Sequence, residues 1–131
     1  NTPIIAVLRN NAKEVVSQLT ADMADIHIID SLPYLEFGYL TAHAMGIITD
    51  SGNVAEEATF NNVPCITLNS YTEHIETVKQ GSNILVGEDA DKLEAAIKDM
   101  TGNNWKKCSL PDRWDGRTAE RIVHILLNMP G

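Results

Sequence analysis

Asp50-Ser51-Gly52-Asn53-Val54-Ala55-Glu56-Glu57 gathers in one short stretch the groups that hold a phosphate and those that hold a sugar hydroxyl. An apolar run, Gly46 to Thr49, ends at Asp50. A Ser-Gly turn follows, and a helix-forming segment starts at once. That order aims free backbone N–H groups and the positive end of a helix dipole at one spot, so an anion is held there without a lysine. Glu57 shares a helix face with Asn53, one turn further along, and is placed to accept hydrogen bonds from ribose hydroxyls. The chemistry these residues support is nucleotide or nucleotide-sugar binding. The same residues also describe an ordinary helix start, in which Ser and Asn cap and Glu favours the first turn. Both readings stand at this point.

Other reactive side chains are scattered. His74 lies between Glu73 and Glu76, which outlines a metal site. Adjacent residues on a short helix point in different directions, however, and no second histidine has ligand spacing, so no metal is expected. His27, His43 and His124 fall on separate elements and read as solvated or core-edge residues. Cys65 sits inside the apolar run Val63 to Leu68 and reads as a buried, reduced thiol, whereas Cys108 has no partner for nucleophilic catalysis. This cysteine usage fits a cytoplasm. Glu56 reads as a capping or solvent-facing residue, and Phe37, at helical spacing with Leu40, as core. Trp105 and Trp114 suit either the cover of a cleft or the anchoring of an irregular tail.

The elements that position these residues alternate between short β-rich runs and longer helical stretches. Strands are predicted at Pro3 to Leu8, Ile26 to Ile29, Gly46 to Thr49, Val63 to Leu68 and Asn83 to Val86. Helices are predicted at Lys13 to Met23, Tyr34 to Met45, Asn53 to Asn61, Glu73 to Gln80 (stopped by Gly81), Asp89 to Met100 and Thr118 to Met129. Gly102 to Gly116 is irregular and reads as a surface loop, with Gly116 turning the chain into the last helix. Strands apolar on both faces and separated by helices imply an α/β fold, a parallel sheet covered on both sides. In such sheets ligands bind beyond the carboxyl ends of the strands, where Ser51 and Gly52 lie.

With 131 residues, 44% hydrophobic and 21% charged, the chain reads as one ordinary globular domain. A net charge of −8 argues against nucleic acid or an anionic membrane as a partner, since both need clustered Lys and Arg. No run of about 18 apolar residues is present, so no membrane helix is expected. The opening, Asn1 one step before an apolar strand and without a secretory leader, suggests an excised piece of a cytoplasmic protein.

Several motifs in one order carry a family resemblance. Asp50 to Glu57, then Val63-Pro64-Cys65, then Thr72-Glu73-His74-Ile75-Glu76 with Gly81, resembles the non-hydrolysing UDP-N-acetylglucosamine 2-epimerases, which read D-S-G-G-x-x-E-E, G-x-P, T-E-R-P-E and a glycine at nearly the same spacing. Gly102 to Lys107 and Trp114 to Ile122 are similar to the carboxy-terminal segment of some members, so the likeness covers essentially the whole chain. It implies a glycosyltransferase-B architecture of two Rossmann-like domains facing a cleft. Residues 1–131 would be the carboxy-terminal UDP-binding domain without its first strand-helix unit.

The reaction so implied converts UDP-N-acetylglucosamine to UDP-N-acetylmannosamine. UDP is eliminated in an anti sense to leave a 2-acetamidoglucal, then added back with inversion at C2, with no cofactor. By the resemblance Ser51 and Gly52 hold the diphosphate, Glu57 the uridine ribose, and Phe37 packs on uracil, with Asn53 and His74 at the same site. Three positions depart from the pattern: Asn53 replaces a glycine, His74 an arginine and Val7 a histidine. The acid/base carboxylates of the family lie in its other domain, so no catalytic residue is assigned here and the chain alone is expected not to epimerise. Expected partners are a UDP-sugar, the missing amino-terminal domain and, in the full-length form, a second copy. The rival readings are the donor domain of a glycosyltransferase and a non-catalytic nucleotide-sugar-binding module. In this architecture the last helix crosses to the other domain, which would leave Ile122, Ile125 and Leu126 exposed here.

Overall fold

Ile4-Ile5-Ala6-Val7 and Ile26-His27-Ile28-Ile29 carry the β-branched side chains that suit a pleated backbone. They form β1 (Ile4–Val7) and β2 (Ile26–Ile29), paired in parallel with Ile4 opposite Ile26 and Val7 opposite Ile29. The structure, a computed structural model, describes residues 2–131. Helix α1 (Asn10–Leu19) joins the two strands. It starts three residues before the predicted Lys13, because Asn10 turns the chain at a φ of 51°, a conformation asparagine tolerates. It also ends early: the Thr20 hydroxyl bonds back to the Val16 carbonyl at 2.7 Å and the next residues form a turn. Lys13 pairs with Asp30 past the end of β2. None of residues 2–39 is buried.

The chain divides into two compact units, the first ending at Tyr39 and the second running from Leu40 to Gly131. Helix α2 (Tyr34–Ala42) carries the chain from one to the other. It stops at Ala42 rather than Met45, where the Ala44 N–H closes a turn onto the Thr41 carbonyl.

The second unit contains β3 (Ile47–Thr49), α3 (Gly52–Phe60), β4 (Cys65–Thr67), α4 (Ile75–Lys79), β5 (Asn83–Leu85), α5 (Ala90–Thr101) and α6 (Thr118–Leu127). Its three strands form a parallel sheet in the order β3-β4-β5, with Ile47, Cys65 and Asn83 side by side. The strands are thus hydrogen-bonded as a parallel pair in the first unit and as a three-stranded parallel sheet in the second.

β4 is buried on both faces, as its unbroken apolar run implies. Successive strand residues point to opposite sides. Cys65 meets Ala55 and Ala58 of α3, whereas Ile66 meets Ala96 of α5 with Ile84, Leu93, Ile97 and Met100 around it. Helices thus cover both faces of this sheet. Fully burying Ile66 contributes about 1.5–3 kcal/mol. Burial also raises the Cys65 thiol to about 11, which keeps it protonated and unreactive.

The irregular segment after α5 is pinned to β5 and α4. Trp105 Nε1 donates to the Ser82 carbonyl at 2.8 Å. Lys106 Nζ donates to the carbonyls of Val78 and Asn83 at 2.7 and 2.6 Å, and its partial burial lowers its pKa. Of the two roles open to Trp105, the structure shows the anchoring one. Helix α6 packs little: Ile122, Ile125 and Leu126 are all exposed, as expected.

Candidate functional site

The strand ends set the position of the site. β3 stops at Thr49 and β4 at Thr67, and the loops that follow both strands turn over the carboxyl end of the sheet. The ladder runs to the rim, where the Leu68 N–H bonds the Thr49 carbonyl at 2.8 Å. Beyond it, Asn69 Nδ2 donates to the Asp50 carbonyl at 2.9 Å and ties the two loops together. Between the loops lies a pocket of about 240 Å³ lined by Ser51, Gly52, Asn53, Thr67, Asn69, Tyr71, Thr72, Glu73 and His74. None of these is Lys or Arg.

Ser51 is the N-cap of α3, with extended backbone and no side-chain cap bond. Its own N–H is taken by Thr49 Oγ1 at 3.1 Å. The next three N–H groups, of Gly52, Asn53 and Val54, belong to the first helical turn and have no carbonyl four residues back within the helix. The contrast is α5, where Asp89 accepts from the N–H groups of Asp91 and Lys92 and so satisfies its own helix start. The capping reading of Ser51 is therefore not what the structure shows. Ser51, Gly52 and Asn53 line the pocket at the positive end of the helix dipole.

His74 forms the opposite wall. Thr72 Oγ1 accepts the His74 N–H at 3.0 Å, which holds the loop out of helix until Ile75 and explains why α4 begins two residues later than predicted. The imidazole Nδ1 lies 2.8 Å from Glu56 Oε1, both side chains half-buried. The ring then lies beside the start of α3. A Cβ at Gly52 would sit 2.8 Å from His74 Cδ2 and 3.3 Å from Nε2, so any larger residue there must push the ring aside. Glu56 is the residue of this corner whose partner the sequence reading missed: partly exposed, it pairs with the histidine and caps nothing. The available signal was a histidine standing where the motif has arginine, 18 positions from a carboxylate with no other assigned partner.

A buried hydrogen-bond chain supports this wall. Thr67 Oγ1 donates to Asn83 Oδ1 (2.7 Å), Asn83 Nδ2 donates to Thr77 Oγ1 (3.2 Å), and the Thr77 hydroxyl donates to the His74 carbonyl (2.7 Å). Gly81 completes it by close approach, since a Cβ there would lie 2.7 Å from the Thr77 carbonyl.

Of the residues singled out from sequence, the pocket brings together Ser51, Gly52, Asn53 and His74. Glu57 is half-buried one turn along α3 and is not part of the lining. Phe37 is half-buried on α2, in the first unit. Glu56, His74 and Glu76 bring one oxygen or nitrogen each within 4.8 Å, the grouping closest to a metal-ligand set among the described residues. There the imidazole Nδ1 is already bonded to Glu56, and we assign no ion.

Fold and site together define the class: an α/β protein whose ligand corner lies beyond the carboxyl ends of parallel strands, at an uncapped helix start. Comparison with known proteins gives the family. The family model for UDP-N-acetylglucosamine 2-epimerase matches residues 1–127. A UDP-N-acetylglucosamine 2-epimerase of Methanocaldococcus jannaschii is 48% identical over 103 residues, covering 77% of this chain and 27% of that protein. A UDP-2,3-diacetamido-2,3-dideoxy-D-glucuronate 2-epimerase of Pseudomonas aeruginosa is 32% identical over 100 residues, covering 76% and 28%. The crystal structure of the M. jannaschii UDP-GlcNAc 2-epimerase in complex with UDP-GlcNAc and UDP superposes with a TM-score of 0.73 at 39% identity, covering 95% of this chain and 35% of that one. The chain belongs to the UDP-N-acetylglucosamine 2-epimerase family, and it spans about a third or less of the length of these relatives.

Proposed function

We propose that the protein carrying this chain is a UDP-N-acetylglucosamine 2-epimerase, and that residues 1–131 are its carboxy-terminal UDP-binding part, the second domain of a glycosyltransferase-B-type architecture. The observation that carries the reading is the pocket at the start of α3, which Ser51, with no side-chain cap bond, Gly52 and Asn53 line together with His74. In the proposed complex these donors hold the diphosphate. Glu57, one turn along α3, accepts from the ribose diol. Held this way, UDP is stabilised as a leaving group when it departs from the sugar and stays in place to add back. The proton at C2 is moved by groups outside this chain, so the chain alone is inactive.

The test is incubation of the whole protein with UDP-N-acetylglucosamine in heavy water, following the sugar C2 proton by NMR. Exchange of that proton with appearance of the manno sugar supports epimerisation. Binding without exchange favours a non-catalytic module, the reading that the departures at Val7, Asn53 and His74 motivate. Transfer of sugar to an acceptor instead marks a glycosyltransferase. At the site, Ser51→Ala and Glu57→Ala are each expected to weaken UDP binding by about 1–3 kcal/mol, by leaving a buried polar partner unpaired. Wild-type affinity in calorimetric titration would remove that residue from the site.

A further inference from the structure

The pocket at the start of α3 has no Lys or Arg in its lining, yet the ligand proposed for it is an anion of high charge. Its only side chain able to become a cation is His74. Two carboxylates bear on that ring, Glu56 from α3, through Nδ1 at 2.8 Å, and Glu76 on α4, within 4.8 Å of it; Glu73 precedes it in the lining loop. Tyr71 is the remaining titratable group of the lining. The other ring nitrogen, Nε2, lies beside Gly52, at the start of α3.

We infer that Glu56 is a positioning residue that turns His74 into a conditional cation: diphosphate binding at Gly52 recruits a proton to the imidazole, so affinity for the nucleoside diphosphate is coupled to pH. This deepens the function proposed above and rests on it. The geometry specifies the proton's place. With Nδ1–H donating to Glu56, the neutral ring presents a bare Nε2 lone pair toward the phosphate, which is repulsive. Protonation at Nε2 converts that acceptor into a donor, giving a charge-assisted bond to the phosphate on one side while the Glu56 carboxylate stabilises the positive ring on the other. No covalent bond changes, and one proton is taken from solvent. An arginine here would be charged at every pH. The histidine makes the charge depend on the ligand and on the surrounding pH.

The sign follows from linkage. A group that binds its proton more tightly in the complex than in the free protein favours binding at low pH, and that contribution is lost as pH rises. The contribution is therefore greatest at the acid end of a titration range and fades toward its alkaline end. Phosphate oxygens of UDP titrate in the same region, near pH ~6, and must be cancelled by comparison with a variant.

The experiment is calorimetric titration of the whole protein with UDP at pH values between 6.5 and 8.5, each in two buffers of different ionisation enthalpy, for wild type, His74→Arg and Glu56→Gln. His74→Arg supplies a permanent cation that takes up no proton in this range. The expected result is net proton uptake by the wild type that His74→Arg lacks, with the ratio of wild-type to His74→Arg affinity falling about tenfold across the range. Glu56→Gln keeps the hydrogen bond but removes the charge, and is expected to cut both the uptake and the pH slope. Equal proton uptake and a constant affinity ratio for wild type and His74→Arg would overturn the inference, as would a Glu56→Gln variant indistinguishable from wild type. Absence of UDP binding by all three proteins at every pH would remove the proposed function, and the inference with it.

Discussion

Asn83 opens β5 and is fully buried, and its amide uses both ends: Oδ1 accepts from Thr67, and Nδ2 donates to Thr77. Truncation would take the acceptor from the Thr67 hydroxyl and one donor from Thr77, so Asn83→Ala is expected to lower unfolding free energy by about 1–3 kcal/mol in urea denaturation. Next to it, Ser82 Oγ is buried with no partner among the described residues. Ser82→Ala should therefore leave stability within about 0.5 kcal/mol of wild type or raise it, since it removes a polar atom that is desolvated and unpaired. At this scale sequence reading reached the donors and not their braces. Ser51, Gly52 and His74 were recognisable because a strand–turn–helix order and a motif mark them. Glu56, Asn83 and Lys106 were not, since each acts across a gap in sequence that only the folded β4–α4–β5 path closes. A buried asparagine also looks, in a one-dimensional pattern, like any residue at a strand start.

Every predicted strand and helix is present, because each carries its own periodicity, but the ends differ where side chains intervene. Thr20 bonds back and ends α1, and Thr72 holds the chain ahead of α4. Two expectations belong to elements. Gly52→Ala pushes a methyl group into the His74 ring at the start of α3. It is expected to weaken UDP binding by tenfold or more while the thermal midpoint moves little, because the ring is half-exposed and can swing away from Glu56; a differential scan beside a titration checks both. At the start of α6, Arg121 Nη1 holds Asp115 Oδ1 at 3.0 Å, and the Arg117 N–H bonds the same oxygen. These bonds lower the Asp115 carboxyl to about 2, Arg121 being the larger cause. The brace is thus fully present above the ordinary carboxylate value near ~3.9 and is lost as pH falls toward about 2. Carboxyl-carbon NMR should find the midpoint near the lower value in the wild type. In Arg121→Gln it should return toward the ordinary one.

For the whole molecule, the alternation of apolar strands with helices was enough to give a parallel α/β fold, and the twofold coverage of β4 follows from its unbroken apolar run. The division into two units, a strand pair in the first and a three-stranded sheet in the second, was not legible. Hydrophobic patterning reports which residues avoid water, not which strand edges bond. The acidic balance, −8 overall, leaves the proposed diphosphate to be met by backbone amides and one histidine rather than by a basic surface. A crystal structure of the whole protein grown with UDP is the decisive measurement. Pyrophosphate oxygens are expected within hydrogen-bond distance of the Gly52 and Asn53 amides and His74 Nε2. Nucleotide seated elsewhere, with the start of α3 solvated or closed by the protein's own side chains, would contradict it.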